Sequence, residues 1–122
     1  MNDQVVRTRF APSPSGRLHI GNLRTALFNL LLARHHRGVF MLRVEDSDAA
    51  RTDATAIDAL QSDLRWLGLA WDAGPGIDAR ADWQQSRRAA LHADAAERLR
   101  AADAAYPCFC SIERLAALRD RQ

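Results

Sequence analysis

The chain predicts an α/β domain with parallel strands, and three features of its 122 residues predict it. A β-rich start, Val5-Val6-Arg7-Thr8-Arg9-Phe10, runs into a proline loop. A stretch with helical spacing follows. Then Val39-Phe40-Met41-Leu42-Arg43-Val44 is apolar almost without a break, the pattern of a strand covered on both faces. Strand, helix, strand is the opening of a right-handed βαβ unit on a parallel sheet.

Each element has its own local reason. The first strand stops at Pro12-Ser13-Pro14-Ser15-Gly16. The first helix is expected from about Leu18 to His36, with Ile20, Leu23, Leu27, Leu30 and Leu31 as its apolar face and Gly38 closing it. His35 and His36 belong on the surface at that helix end, where the dipole favours them. Ile57, Leu60, Leu64 and Leu67 mark a second helix, stopped at Gly68. Ala73-Gly74-Pro75-Gly76 is a loop. A third helix is expected from about Gln84 to Ala102, with Leu91, Ala95, Leu99 and Ala102 on one face. Tyr106-Pro107-Cys108-Phe109-Cys110 is an extended connector, and Ser111 caps a last helix from Ile112 to Arg121. Trp66, Trp71 and Trp83 are expected in the core or at domain contacts. Two strands are too few to close a doubly wound sheet. The chain therefore reads as the first part of something larger, whose open sheet edge needs a partner.

Length allows one domain at most, and 48% hydrophobic residues supply its core. All 17 basic residues are arginine, so any mechanism needing a lysine must find it elsewhere. A net charge of +2 is too small to indicate nucleic-acid binding by composition alone. No apolar run approaches the roughly 18 residues of a membrane span. Met1-Asn2-Asp3-Gln4 lacks the basic and apolar regions of a signal peptide, so a soluble cytoplasmic protein is expected.

Ligands of parallel sheets bind at the carboxyl ends of strands. Two segments fall there: the proline loop with His19-Ile20-Gly21-Asn22, and Glu45-Asp46-Ser47-Asp48. They are expected to face one crevice. A loop feeding a helix N-terminus suits an anion such as a nucleotide phosphate. The His19 imidazole can donate to phosphate oxygens, and Gly21, with no Cβ, leaves room for adenine or ribose. Arg9 and Glu45 end successive strands and can converge, either on the carboxylate and ammonium of an amino acid or on each other as a structural bridge. The three acids Glu45, Asp46 and Asp48 fit a solvated turn or a Mg²⁺ site. Cys108 and Cys110 are half of a four-ligand Zn²⁺ site, or two unliganded thiols.

From Arg7 to Gln122 the residues resemble the N-terminal part of a bacterial glutamyl-tRNA synthetase, a class I aminoacyl-tRNA synthetase. The anchors are Arg9-Phe10-Ala11-Pro12-Ser13-Pro14-Ser15-Gly16, Leu18-His19-Ile20-Gly21, Arg24-Thr25-Ala26-Leu27-Phe28-Asn29, Arg43-Val44-Glu45-Asp46-Ser47-Asp48, Trp66-Leu67-Gly68-Leu69, Gln85-Ser86 and Cys108-Phe109-Cys110-Ser111. The resemblance implies the first half of a Rossmann-like nucleotide-binding domain over residues 1–122, with 103–122 beginning a zinc-binding insertion. It implies ATP- and Mg²⁺-dependent activation of L-glutamate and its transfer to tRNA. On this resemblance Arg9, Ala11, Ser13 and Glu45 fall at glutamate-pocket positions. Ser13, His19, Gly21 and Asn22 fall at ATP positions, with His19 and Gly21 serving catalysis. Asp48 and Arg51 fall near the tRNA acceptor end, and Cys108 and Cys110 match the first two zinc ligands.

The chain departs from that pattern in three ways. Ser15 and Ser47 stand where the synthetases usually have threonine, and the chain stops before the lysine-bearing KMSKS-type loop. Ser15 is common in the truncated relative, glutamyl-Q tRNA(Asp) synthetase, whereas Arg24-Thr25-Ala26-Leu27-Phe28-Asn29 and Ile20 resemble the full synthetase. Two rival readings follow. One is glutamyl transfer to a queuosine base of tRNA(Asp). The other is a non-enzymatic remnant that binds ATP, glutamate or a protein covering its open sheet.

Overall fold

Strands β1 (Arg7–Phe10) and β2 (Val39–Leu42) pair in parallel, Arg7 opposite Val39 and Phe10 opposite Leu42, with helix α1 (Ile20–His35) between them in the chain. Helix α2 (Ala54–Trp66) follows, then a 3₁₀ turn (Gln85–Arg88), α3 (Ala89–Ala101) and α4 (Ile112–Arg119). This computed structural model describes residues 5–14, 18–48, 54–77 and 83–121. The chain divides into two units, Met1–Ala89 and Ala90–Gln122.

The first unit holds the core. Phe10, Phe40, Leu42 and Val44 of the strands and their extension pack with Ala26 and Ala33 of α1, with Ile57, Leu60 and Leu64 of α2, and with Leu69 and Trp71. Phe40, Leu42 and Leu64 are wholly enclosed, and burying each stabilises the fold by about 1.5–3 kcal/mol. Thr8, also buried, donates from Oγ1 to the Asn29 carbonyl at 2.8 Å and so ties β1 to α1.

The continuous apolar run of β2 is not evenly covered. Residues 40, 42, 44 and 46 are buried, while 39, 41, 43 and 45 are half-buried. The strand thus keeps the two-residue alternation of a pleat. The backbone also finds a third partner that the sequence reading left as loop. Ala73 accepts the Leu42 N–H at 3.0 Å, and Trp83 accepts the Val44 N–H at 2.8 Å. Ahead of these rungs lies Phe40, whose N–H goes to the Asp72 side chain at 2.8 Å.

The expected apolar face of α1 is corrected. Ala26 and Ala33 are its buried residues, and Leu23 and Leu30 pack beside them. Ile20 is 82% exposed, and Leu27 and Leu31 are exposed too. Apolar residues are spread around the helix with only weak segregation from the polar ones, so spacing alone could not choose the face. Small side chains face the strands and let the helix approach closely. The outward leucines leave an apolar groove of about 450 Å³, lined by Ile20, Leu23, Leu27, Phe28, Leu67 and Leu69, with Arg24 at its side.

Three helices end in the same hydrogen-bond pattern, in which the N–H groups of two residues past the cap return to the last turn. After α1, Arg37 N–H bonds Arg34 O at 3.1 Å and Gly38 N–H bonds Ala33 O at 2.7 Å. The left-handed residue there is Arg37, φ 50°, and not the expected Gly38. Gly38 is needed for another reason: a Cβ on it would stand 2.1 Å from the Val6 carbonyl oxygen. After α2, Gly68 does take the left-handed position, φ 72°. After α3 it is Asp103, φ 54°.

The second unit has helices without a core. No residue of α3 or α4 is buried, and Leu91 and Leu99 of the expected α3 face are exposed. Ser111 caps α4 as expected, its Oγ accepting the Arg114 N–H at 3.3 Å. Among the tryptophans Trp71 is core, Trp83 half-buried and Trp66 85% exposed. No helix among the described residues is long and apolar enough to cross a membrane.

Candidate functional site

The proline loop leaves β1 with Pro12 and Pro14 buried, Ala11 half-buried and Ser13 exposed. It is clipped to the other suspect segment by one backbone bond, Glu45 N–H to Pro12 O at 2.9 Å. The two loops therefore meet at the carboxyl ends of adjacent parallel strands, as the sequence led one to expect. Ser15, Gly16 and Arg17 lie outside the described residues, as does Arg51.

His19 is the N-cap of α1, in extended backbone conformation, and its Nδ1 accepts the Gly21 N–H at 3.1 Å. An accepting Nδ1 puts the ring proton on Nε2, on the far side of the exposed imidazole. A Cβ on Gly21 would lie 2.9 Å from Cε1 of that ring, so the missing side chain first makes room for His19 itself. Asn22, half-buried, begins the same helix turn.

Glu45 does not pair with Arg9 among the described ion pairs. Its carboxylate is held by Arg43, two residues back on the same side of the strand. Arg9 is exposed in β1. The structural-bridge alternative for Arg9 is thereby replaced by a different bridge, one that spacing along β2 favours over a bond between strands.

The acidic run does not gather into one ligand set. Glu45 turns to Arg43, while Asp46 is buried, 7% exposed, and turns the other way. Its two oxygens accept the Ser86 N–H at 2.8 Å and the Ser86 hydroxyl at 2.7 Å. Asp48 is exposed. Among the described residues no group of three or more His, Cys, Asp and Glu side chains is placed to hold a metal. The Asp46–Ser86 pair was missed from sequence; the alternation of β2 continued to residue 46 shows only that Asp46 points inward with 40, 42 and 44, and does not name its partner.

In the second unit Cys108 and Cys110 are free thiols. The Cys110 backbone N–H, and then its thiol, hold the Cys108 thiol below the usual range. Cys110 is pushed up by its hydrogen bond to Cys108 and by the neighbouring negative charge. Two sulfurs supply half of a tetrahedral zinc site, and the described residues do not complete it.

Residues 5–122 match the family described as tRNA synthetases class I (E and Q), catalytic domain. The chain is 52% identical over 123 aligned positions to glutamate–tRNA ligase 2 of Nitrosococcus oceani, covering 100% of this chain and 26% of that protein. It is 50% identical over 115 positions to the glutamate–tRNA ligase of Streptomyces griseus, covering 93% and 23%. The crystal structure of glutamate-tRNA synthetase from Elizabethkingia anophelis superposes with a TM-score of 0.86 at 37% identity, over 97% of this chain and 24% of that one. The chain thus spans about a quarter of the length of the relatives it matches.

Proposed function

The chain belongs to the catalytic domain of the class I tRNA synthetases for glutamate and glutamine, and its fold is the opening of their Rossmann-like α/β domain; from that premise we propose that it is the N-terminal portion of a glutamate–tRNA ligase. The whole protein activates L-glutamate with ATP and Mg²⁺ and passes the glutamyl group to tRNA. The observation that carries the reading is the clip between Pro12 O and Glu45 N–H, which joins the loop beside Arg9, Ala11 and Ser13 to the acid at the end of β2.

In this reading Glu45 accepts from the ammonium of glutamate and Arg9 grips a carboxylate with its planar fork, with Ala11 and Ser13 walling the pocket. The glutamate α-carboxylate attacks the α-phosphorus of ATP and pyrophosphate leaves from the opposite side. His19 donates from Nε2 to the phosphate oxygens as charge develops, aided by the N-terminus of α1 and by Gly21 and Asn22. The protein supplies position and electrostatics and needs no covalent nucleophile. Asp48 and Arg51 lie toward the tRNA acceptor end. Residues 103–122 open an insertion in which Cys108 and Cys110 are two of four zinc ligands, with no role in the chemical step. The remaining three quarters of such a protein covers the open edge of β1 and supplies the lysine that this chain lacks. The protein works in the cytoplasm.

Glutamate-dependent exchange of pyrophosphate into ATP by the complete protein tests the proposal. Exchange with glutamate is expected, and its absence would defeat the reading. The 122-residue chain alone is expected to form no glutamyl-adenylate. The names of the relatives favour transfer to tRNA(Glu) over the glutamyl-Q alternative. Glutamylation of tRNA(Glu) measured against queuosine-bearing tRNA(Asp) decides between them.

A further inference from the structure

Three consecutive residues just past β2 are fastened to two other stretches of chain, Val44 and Asp46 to residues 83–86 and Glu45 to the proline loop. Val44 bonds Trp83 and Gln85, its N–H to Trp83 O at 2.8 Å and its carbonyl from Gln85 N–H at 2.9 Å. Glu45 bonds Pro12 at 2.9 Å. Asp46 bonds Ser86 twice, at 2.8 and 2.7 Å. Glu45 therefore has its backbone clamped from both sides. Its side chain meets only Arg43 among the described ion pairs.

We propose that Asp46 and Ser86 are positioning residues for Glu45, a latch that fixes the amino-acid pocket by fastening the residue next to it. The latch is a buried carboxylate with both oxygens engaged by one residue, and such charge-assisted bonds are short and directional. Removing the Ser86 hydroxyl leaves one buried Asp46 oxygen without its donor. Asp46 then shifts to find another, and the strand pleat hands that shift to Glu45 on the opposite side. The α1 N-terminus, with His19 and Gly21, is fastened separately by its own cap, so the nucleotide side of the site does not depend on the latch. The proposal rests on the glutamate-activation reading above.

The test is steady-state ATP–pyrophosphate exchange by the complete protein, wild type beside Ser86→Ala and Ser86→Thr. KM is read on the folded fraction alone, so partial unfolding lowers the amplitude without moving it. Ser86→Ala is expected to raise the KM for glutamate about tenfold and leave the KM for ATP within about twofold. Ser86→Thr keeps the hydroxyl and should restore the glutamate KM. An unchanged glutamate KM in Ser86→Ala, or equal rises for glutamate and ATP, overturns the latch while leaving the wild-type activity standing. A wild-type protein without glutamate-dependent exchange overturns both the activity and the latch, and the control lane alone reveals that case.

Discussion

His19 Nδ1 accepts the Gly21 N–H at 3.1 Å, and any Cβ at position 21 would press on the same ring at 2.9 Å. One residue thus fixes the tautomer and orientation of the other. Replacing His19 by Ala in the complete protein is expected to lower the activation kcat by about 10²–10³, the loss typical of one oxyanion donor, with little change in glutamate KM. Gly21→Ala, favoured by helix propensity, should also lower kcat because it turns the ring off its cap. Pyrophosphate exchange reads both variants; a Gly21→Ala enzyme of full activity would show that the ring's seat on Gly21 is dispensable.

The turn after α1 separates two uses of glycine. Arg37 carries the positive φ, which a side chain resists by roughly 1 kcal/mol, so Arg37→Gly is expected to raise the melting temperature by a few degrees. Gly38→Ala should do the reverse and more strongly, losing about 1–3 kcal/mol, because its Cβ meets backbone rather than a side chain that can move. At Gly68 nothing lies within 4 Å, so Gly68→Ala should cost only the left-handed backbone. Thermal melts of the three variants give the ranking, and a Gly38→Ala protein as stable as wild type would refute it.

Asp72 gives the fold an acid dependence. Its carboxylate is gripped by Arg34 at 2.7 and 3.0 Å and also takes the Phe40 N–H. The Arg34 hydrogen bonds hold the carboxyl below its ordinary 3.8, against a smaller opposing effect of burial. A lowered folded pKa contributes stability above the unfolded value, and that contribution disappears as pH falls through the folded value. Arg34, raised by the same pair, stays charged throughout this range. The pair is partly exposed, so the effect is modest. Melts of wild type and Asp72→Asn should differ near neutrality and converge as pH falls below the ordinary 3.8 and through the lowered folded value. Parallel curves across that range would be inconsistent with this assignment.

Cys108 should react before Cys110. With its thiol held low by the Cys110 N–H, it forms thiolate at lower pH. Brief iodoacetamide treatment of the chelator-treated, metal-free protein near pH 7.5, followed by peptide mass mapping, should find the label mainly at Cys108. Preferential labelling of Cys110 would contradict the arrangement.

Much of the fold was legible because its signals are local. The proline loop, the β-rich run at residue 39, the glycine stop at 68 and the Ser111 cap each act within a few residues. The face of α1 was not, because its many apolar residues are spread around the axis with weak segregation from the polar ones, and only packing against the strands picks Ala26 and Ala33 over Ile20 and Leu27. The meeting of the proline loop with Glu45 followed from strand topology. The partner of Asp46 lies 40 residues on, a separation that no local pattern spans. Arg43 as the holder of Glu45 was within reach of the two-residue period, which puts both on one side.

Helices α3 and α4 rest on no buried side chain. What supports α3 is drawn from its own surface, the Asp94–Arg98 and Glu97–Arg100 pairs at 3.1 and 2.8 Å. A helix of 13 residues is near the length at which nucleation alone leaves it marginal in water. Ionic strength acts on such pairs and hardly at all on packed leucines. Added salt is therefore expected to weaken what these pairs contribute to α3, while leaving the packing of Phe40, Leu42 and Leu64 nearly untouched.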